Sequence, residues 1–148
     1  LVTLARELEL VQDYLRIEAL RLGERLQVEL SVEAEAMPAL VPPLFLQPLV
    51  ENAVYHGIEP RRAAGTVTIA IRRDGDRVLV RVANPLEATS VERHGNRMAL
   101  SNIKERLALH FDAHASLKTA VLGDRYEVRV DMPFRSTDRA GERAAAHG

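Results

Sequence analysis

Along the first 23 residues the apolar positions repeat at helical spacing. Leu1, Leu8, Leu15 and Leu22 fall seven apart, and Leu4 and Val11 lie between them. This predicts an amphipathic helix that ends near Gly23. Glu18 breaks the intermediate row, while Leu10, Tyr14 and Ile17 form a second apolar stripe. The seam is either the packing face of one helix on its own domain or a dimer seam, and the heptad-like spacing favours the dimer. From Leu26 the period changes to two. Leu26, Val28, Leu30 and Val32 alternate with polar residues, as a half-buried strand does. Val41-Pro42-Pro43-Leu44 then opens a helix expected to run through His56 and stop at Gly57, because proline is tolerated in a first turn. Pro48 lies inside that helix and predicts an irregular first turn or a kink.

Val67, Ile69 and Ile71 alternate with polar residues, as do Val78, Val80 and Val82, and Arg73-Asp74-Gly75-Asp76 separates the two runs. Asp-Gly between alternating runs is a hairpin signal. Residues 84–97 lose all period and read as a long loop, the kind that often serves as a lid. A helix with Ile103, Leu107, Leu109 and Phe111 on its apolar face follows, capped by Ser101 or Asn102. Two strands, near Ser116–Leu122 and Tyr126–Met132, turn at Gly123-Asp124. The tail after Phe134 is polar and rich in Ala and Arg, and is expected to be disordered. About five strands and three helices, joined mostly by hairpins, predict an α+β two-layer sandwich. Its sheet is mixed and mainly antiparallel, with helices on one face.

The length of 148 residues sets one domain as the default, and 47% apolar residues can fill its core. A formal net charge of −1 gives no global basic field and no indication of nucleic-acid binding. The absence of cysteine excludes disulfides and thiolate metal sites. No apolar run approaches the roughly 20 residues that a membrane span needs.

The expected helix 44–56 carries Gln47, Glu51, Asn52 and His56 among many apolar residues. Gln47 and Glu51 share one face, and Asn52 and His56 share another. Such groups are costly to bury unpaired, so they face solvent, a cleft, a ligand or a metal. A carboxylate and an amide oxygen are hard ligands suited to Mg²⁺. An ordinary amphipathic helix with a wet face would show the same pattern.

The run from Val41 to Gly57, with Gln47-Pro48-Leu49-Val50-Glu51-Asn52-Ala53 at its centre, resembles the N-box of the LytS/AlgZ-type sensor histidine kinases. These share a superfamily with the gyrase, Hsp90 and MutL ATPase domains. Glu7 to Glu18 is similar to the end of that family's dimerisation region, and Met98 to Leu107 to the helix after its nucleotide lid. Three motifs in the expected order span about residues 4–134. The resemblance implies a Bergerat-type fold that binds Mg-ATP between the N-box helix and the lid. It divides the chain into the end of a dimerisation helix (1–23), an ATP-binding catalytic domain (24–134) and a tail (135–148). Asn52 matches the metal-holding asparagine. Glu51 would lie near the metal's water shell or the base, and His56 near the phosphates or ribose. The implied activity is phosphoryl transfer from ATP to a histidine upstream of this segment, and thence to a response regulator. The implied setting is a homodimer, with this part cytoplasmic and the full-length protein anchored in the inner membrane. Without that upstream histidine the chain is not expected to phosphorylate itself; His94, His110, His114 and His147 lack the acceptor's context.

Three departures qualify this. The superfamily's water-activating glutamate, one turn before the asparagine, is replaced here by Pro48, which favours transfer over ATPase activity. Ala83 and Pro85 stand where the family has the adenine-binding aspartate and a glycine. Loss of that acceptor is worth ~1–3 kcal/mol. Asn84 is the candidate replacement; otherwise the pocket is weak or unselective. The glycine-rich lid survives only as Gly95-Asn96-Arg97-Met98-Ala99-Leu100, where Gly95, Arg97, Met98 and Leu100 are the candidate contacts. A degenerate domain serving as a dimerisation or docking module is the competing expectation.

Overall fold

In the computed structural model, residues 1–86 and 93–137 are described, with backbone alone for 93–97. A two-residue strand, β1 (Val2–Thr3), leads into α1 (Leu4–Leu22), whose N-cap Thr3 accepts from the Arg6 N–H. Gly23 ends α1 with φ 59°, a left-handed backbone that glycine adopts without strain. After a 3-10 turn (Gly23–Arg25) come β2 (Leu26–Val32), the short β3 (Leu40–Val41), α2 (Leu46–Gly57), β4 (Gly65–Asp74) and β5 (Arg77–Pro85). Then follow α3 (Arg93–Phe111), β6 (Ser116–Leu122) and β7 (Arg125–Pro133).

Five strands form one sheet in the order β2-β4-β5-β7-β6. β2 pairs in parallel with β4, and α2 lies in the connection between them; the other three pairings are antiparallel. The expected α+β sandwich with a mainly antiparallel sheet is therefore observed. Both hairpin turns fall where the glycines mark them, with Gly75 at φ 60° and Gly123 at φ 64°. β1 and β3 form a separate antiparallel pair, Val2 opposite Val41 and Thr3 opposite Leu40, which two residues per strand are too short to signal.

One core lies between a face of the sheet and the helices. Val67, Ile69 and Ile71 of β4, Val78, Val80 and Val82 of β5, and Val128, Val130 and Met132 of β7 meet the apolar sides of all three helices. Period two in each strand puts these residues on one face and leaves the other polar. Leu4, Leu8, Val11, Leu15 and Leu22 of α1 belong to that same core. This corrects the reading of the heptad row as a dimer seam, because its own domain covers it. The large apolar residues that α1 leaves exposed are Ile17 (66%) and Leu20 (88%), off that row.

Two further expectations change. α3 begins at Arg93, well before the expected cap at Ser101 or Asn102. Arg93-His94-Gly95-Asn96-Arg97 has no apolar period, so pattern alone could not reveal it. The rest of the expected lid, 87–92, and the tail 138–148 lie outside the described residues. α2 begins at Leu46 rather than Leu44, which puts Pro48 in its first turn, where N–H groups have no partner within the helix. Pro42 and Pro43 precede the helix. The turn also uses Leu44, whose φ of 56° is an uncommon left-handed conformation for a residue with a side chain.

Candidate functional site

Leu46, Leu49, Val50, Ala53, Val54 and Gly57 form the buried side of α2. Consecutive helical residues are turned by about 100°, so Glu51 and Asn52 occupy opposite shoulders of this side. Gln47 Nε2 donates to Glu51 Oε1 at 2.9 Å on an exposed shoulder. That shoulder is the one toward α1. Tyr14 of α1 has its hydroxyl pushed above the usual phenol range, first by burial and then by the carboxylates of Glu18, Glu51 and Glu59. Asn52 and His56, four apart and half-buried, share the other shoulder. As the four-residue spacing predicts, Gln47 and Glu51 share one shoulder of α2 and Asn52 and His56 the other. The Asn52–His56 shoulder is the candidate site, and Glu51 lies on the shoulder toward α1.

The C-terminal end of α2 packs on the end of β5. A Cβ built on Gly57 would lie 2.6 Å from Asn84 Cβ, so only glycine allows this approach. Asn84 is buried (4% exposed), and its Nδ2 donates to the Pro85 carbonyl at 2.8 Å. Ala83 pairs in register with Thr68 and Glu127 and faces the other side of the sheet. Asn84, rather than the residue at the family's aspartate position, therefore meets α2. The candidate lid residues divide. Leu100 is packed in the core (7% exposed), whereas Met98 is exposed. The side chain of Arg97 lies outside the described residues, and Gly95 is known only as part of α3.

The supports of α2 were missed in the sequence. Glu7 of α1, buried at 1% exposure, accepts hydrogen bonds from the Phe45 N–H at 2.8 Å and the Leu46 N–H at 3.3 Å. Arg106 of α3 donates to the carbonyls of Pro43 and Leu44, both at 3.1 Å. A signal for Glu7 was present: a carboxylate beside Leu8 on the apolar face of α1 needs a buried partner. Arg106 offered no such cue. A cavity of about 770 Å³ opens on the polar side of the sheet, lined in part by Arg72, Arg81, Lys118, Arg129 and Asp131. It lies across the sheet from α2 and so is separate from this site.

Among the described residues no group of three or more His, Cys, Asp or Glu is arranged to hold a metal ion. Nor is any helix among them long and apolar enough to cross a membrane.

No family model matches the chain. It is 34% identical over 150 residues to the sensor histidine kinase YpdA of Escherichia coli strain K12, covering 95% of this chain and 26% of that protein. It is 31% identical over 150 residues to the sensor protein LytS of Oceanobacillus iheyensis, covering 92% and 26%. The chain therefore spans about a quarter of the length of these relatives. In fold it resembles the catalytic domain of histidine kinase ThkA, with a TM-score of 0.68 at 14% identity over 90% of this chain and 94% of that one. ThkA solved in complex with the response regulator protein TrrA gives a TM-score of 0.64 at 14% identity, over 90% and 41%. Aligned along nearly its whole length with such relatives, and folded as histidine kinase catalytic domains are, this chain belongs to the LytS-type sensor histidine kinases.

Proposed function

We propose that this chain is the ATP-binding catalytic domain of a sensor histidine kinase, holding Mg-ATP along the Asn52–His56 shoulder of α2. The observation that carries this reading is the makeup of that shoulder. It presents an amide and an imidazole beside the end of β5, and it has Pro48 one turn before Asn52, where a hydrolase needs a base. A single amide oxygen fits Mg²⁺ delivered with a nucleotide, because that ion keeps water and phosphate oxygens as most of its ligands. When bound, the ion neutralises phosphate charge. Asn52 orients the triphosphate, and His56 lies toward the phosphates or ribose. With no carboxylate at position 48, water is not activated and the γ-phosphoryl group is preserved for transfer.

The acceptor in this proposal is a histidine outside the chain, and a response regulator receives the group from it. The complex of ThkA with its regulator supports that partner class. The domain lies in the cytoplasm, as part of a membrane-anchored, dimeric full-length protein. Because the Leu4–Leu22 row is buried within the domain, the dimer is carried on other surfaces. Ala83 favours the second reading, a docking module with weak nucleotide binding, since no carboxylate stands where the adenine amino group would be met.

Calorimetric titration with Mg-ATP and Mg-ADP tests the proposal. The wild-type chain should bind, and Asn52→Ala should weaken binding by about tenfold or more, roughly 1.4 kcal/mol per decade. Absence of heat at millimolar nucleotide would sink the reading for this chain. Phosphorelay in the full-length protein that survives Asn52→Ala would favour the docking module.

A further inference from the structure

α2 has no cap of its own. Its N-cap residue, Phe45, makes no side-chain hydrogen bond, and no acidic residue lies in its first turn. Phe45 and Leu46 are nevertheless fully buried, so water cannot satisfy their N–H groups. The acceptor for both is Glu7 Oε1, on α1. At the far end, Arg25 Nη2 grips the turn that closes α2. It donates to the carbonyls of Ile58 at 3.3 Å, Glu59 at 2.9 Å and Arg61 at 2.5 Å. Arg21, in the last turn of α1, forms an ion pair with Glu59 in the same turn. One continuous segment, from Glu7 to Arg25, thus places an anion at the positive end of the α2 dipole and two cations at its negative end.

The consequence is mechanical. α2 cannot slide along or tilt away from α1 without stripping a buried carboxylate of its main-chain donors, and an uncompensated buried charge is costly. Asn52 lies within two turns of the end that Glu7 holds. We propose that Glu7 and Arg25 are positioning residues that lock the Asn52 helix to α1, so that displacement of α1 repositions Asn52 and nucleotide on α2 tightens α1 in return. The inference rests on the reading of α2 as the nucleotide helix. Reciprocity follows from linkage: whatever α1 does to nucleotide affinity, nucleotide does equally to α1.

Amide hydrogen exchange on the whole chain, with and without Mg-ADP, tests the lock. In the wild type, Mg-ADP should slow exchange in α2 and also in the first turns of α1. In Glu7→Ala, exchange at residues 45–49 should quicken even without nucleotide. Affinity for Mg-ADP should fall by about tenfold (1.4 kcal/mol), and protection should no longer reach α1. Glu7→Gln keeps the acceptor and the shape while losing the charge; it should fold and restore most of the coupling, which simple loss of stability would not predict. Arg25→Ala should loosen residues 58–61 with Glu7 intact. The lock is refuted if Mg-ADP protects α2 and leaves α1 unchanged in the wild type. It is equally refuted if Glu7→Ala folds with wild-type affinity and exchange. If Glu7→Ala does not fold, the wild-type measurement and Glu7→Gln still decide the matter. Asn52→Ala separates the two ideas: wild-type binding in that variant overturns the nucleotide site itself, whereas lost binding there with intact binding in Glu7→Ala overturns only the lock.

Discussion

Gly57 controls how closely α2 approaches the strand end beneath it. In Gly57→Ala, the new methyl would meet Asn84 Cβ at 2.6 Å, Nδ2 at 2.7 Å and Cγ at 3.0 Å. The nearest of these is the first side-chain atom, which cannot rotate away, so either α2 or the end of β5 must move. Overpacking of this kind costs about 1–3 kcal/mol. Alanine returns up to about 1 kcal/mol in helix propensity, and less at a terminal residue. The net expectation is a loss of about 1–2 kcal/mol, roughly 2–6 °C in Tm for a chain of this size. The chain has no tryptophan, so urea unfolding followed by far-ultraviolet circular dichroism is the suitable assay. Nucleotide affinity should fall as well, because the displaced end of α2 carries His56. Asn84→Gly removes the opposing Cβ, so the double variant should recover more than 0.5 kcal/mol relative to the sum of the single changes. Equal or greater stability of Gly57→Ala, or additivity in the double variant, would refute the close-approach argument.

Three further outcomes follow from other parts of the molecule. Glu127, with its side chain 3% exposed, joins Arg81 at 3.0 Å and Arg129 at 2.6 Å on the polar side of the sheet. Glu127→Ala should cost about 1–2 kcal/mol in urea unfolding, less than stranding a buried charge would, because the charges left behind are arginines that can recover water; a neutral result would show that these pairs add nothing net to stability. Pro48→Glu restores a carboxylate one turn before Asn52 and should raise steady-state phosphate release by roughly tenfold, below what a fully positioned base contributes. No rise would remove Pro48 as the reason to expect transfer over hydrolysis. Burial and three carboxylates hold the Tyr14 proton more tightly in the folded chain than in the unfolded one. Its contribution is therefore complete below the unfolded phenol value of about 10 and is lost as pH rises above it. Alkaline unfolding of Tyr14→Phe should lack that limb, and an unchanged slope would remove the assignment.

Much of the fold was legible in local periodicity. Alternation at Val67–Ile71, Val78–Val82 and Tyr126–Met132 set the buried face of each strand, since side-chain direction in a strand has period two whatever its neighbours are. Gly75 and Gly123 marked the hairpins because a two-residue turn needs a positive φ. The N-box around Asn52 pointed to the family, which the relatives bear out. The start of α3 was not legible, because residues 93–97 have no apolar face to display.

Only the tertiary structure decided what each surface was for. The row Leu4, Leu8, Val11, Leu15, Leu22 has the same spacing whether it faces a partner or its own sheet, and packing placed it in the core. Glu51 and Asn52 are neighbours in sequence, but the helix turns them to opposite shoulders, and only the position of α1 distinguishes those shoulders. The capping of α2 lay furthest from local reading. The helix carries no cap in its own sequence and takes its acceptor from Glu7, on another helix. Hydrogen-bond satisfaction of a buried backbone is a condition on the folded whole, so the residue that meets it can lie anywhere along the chain.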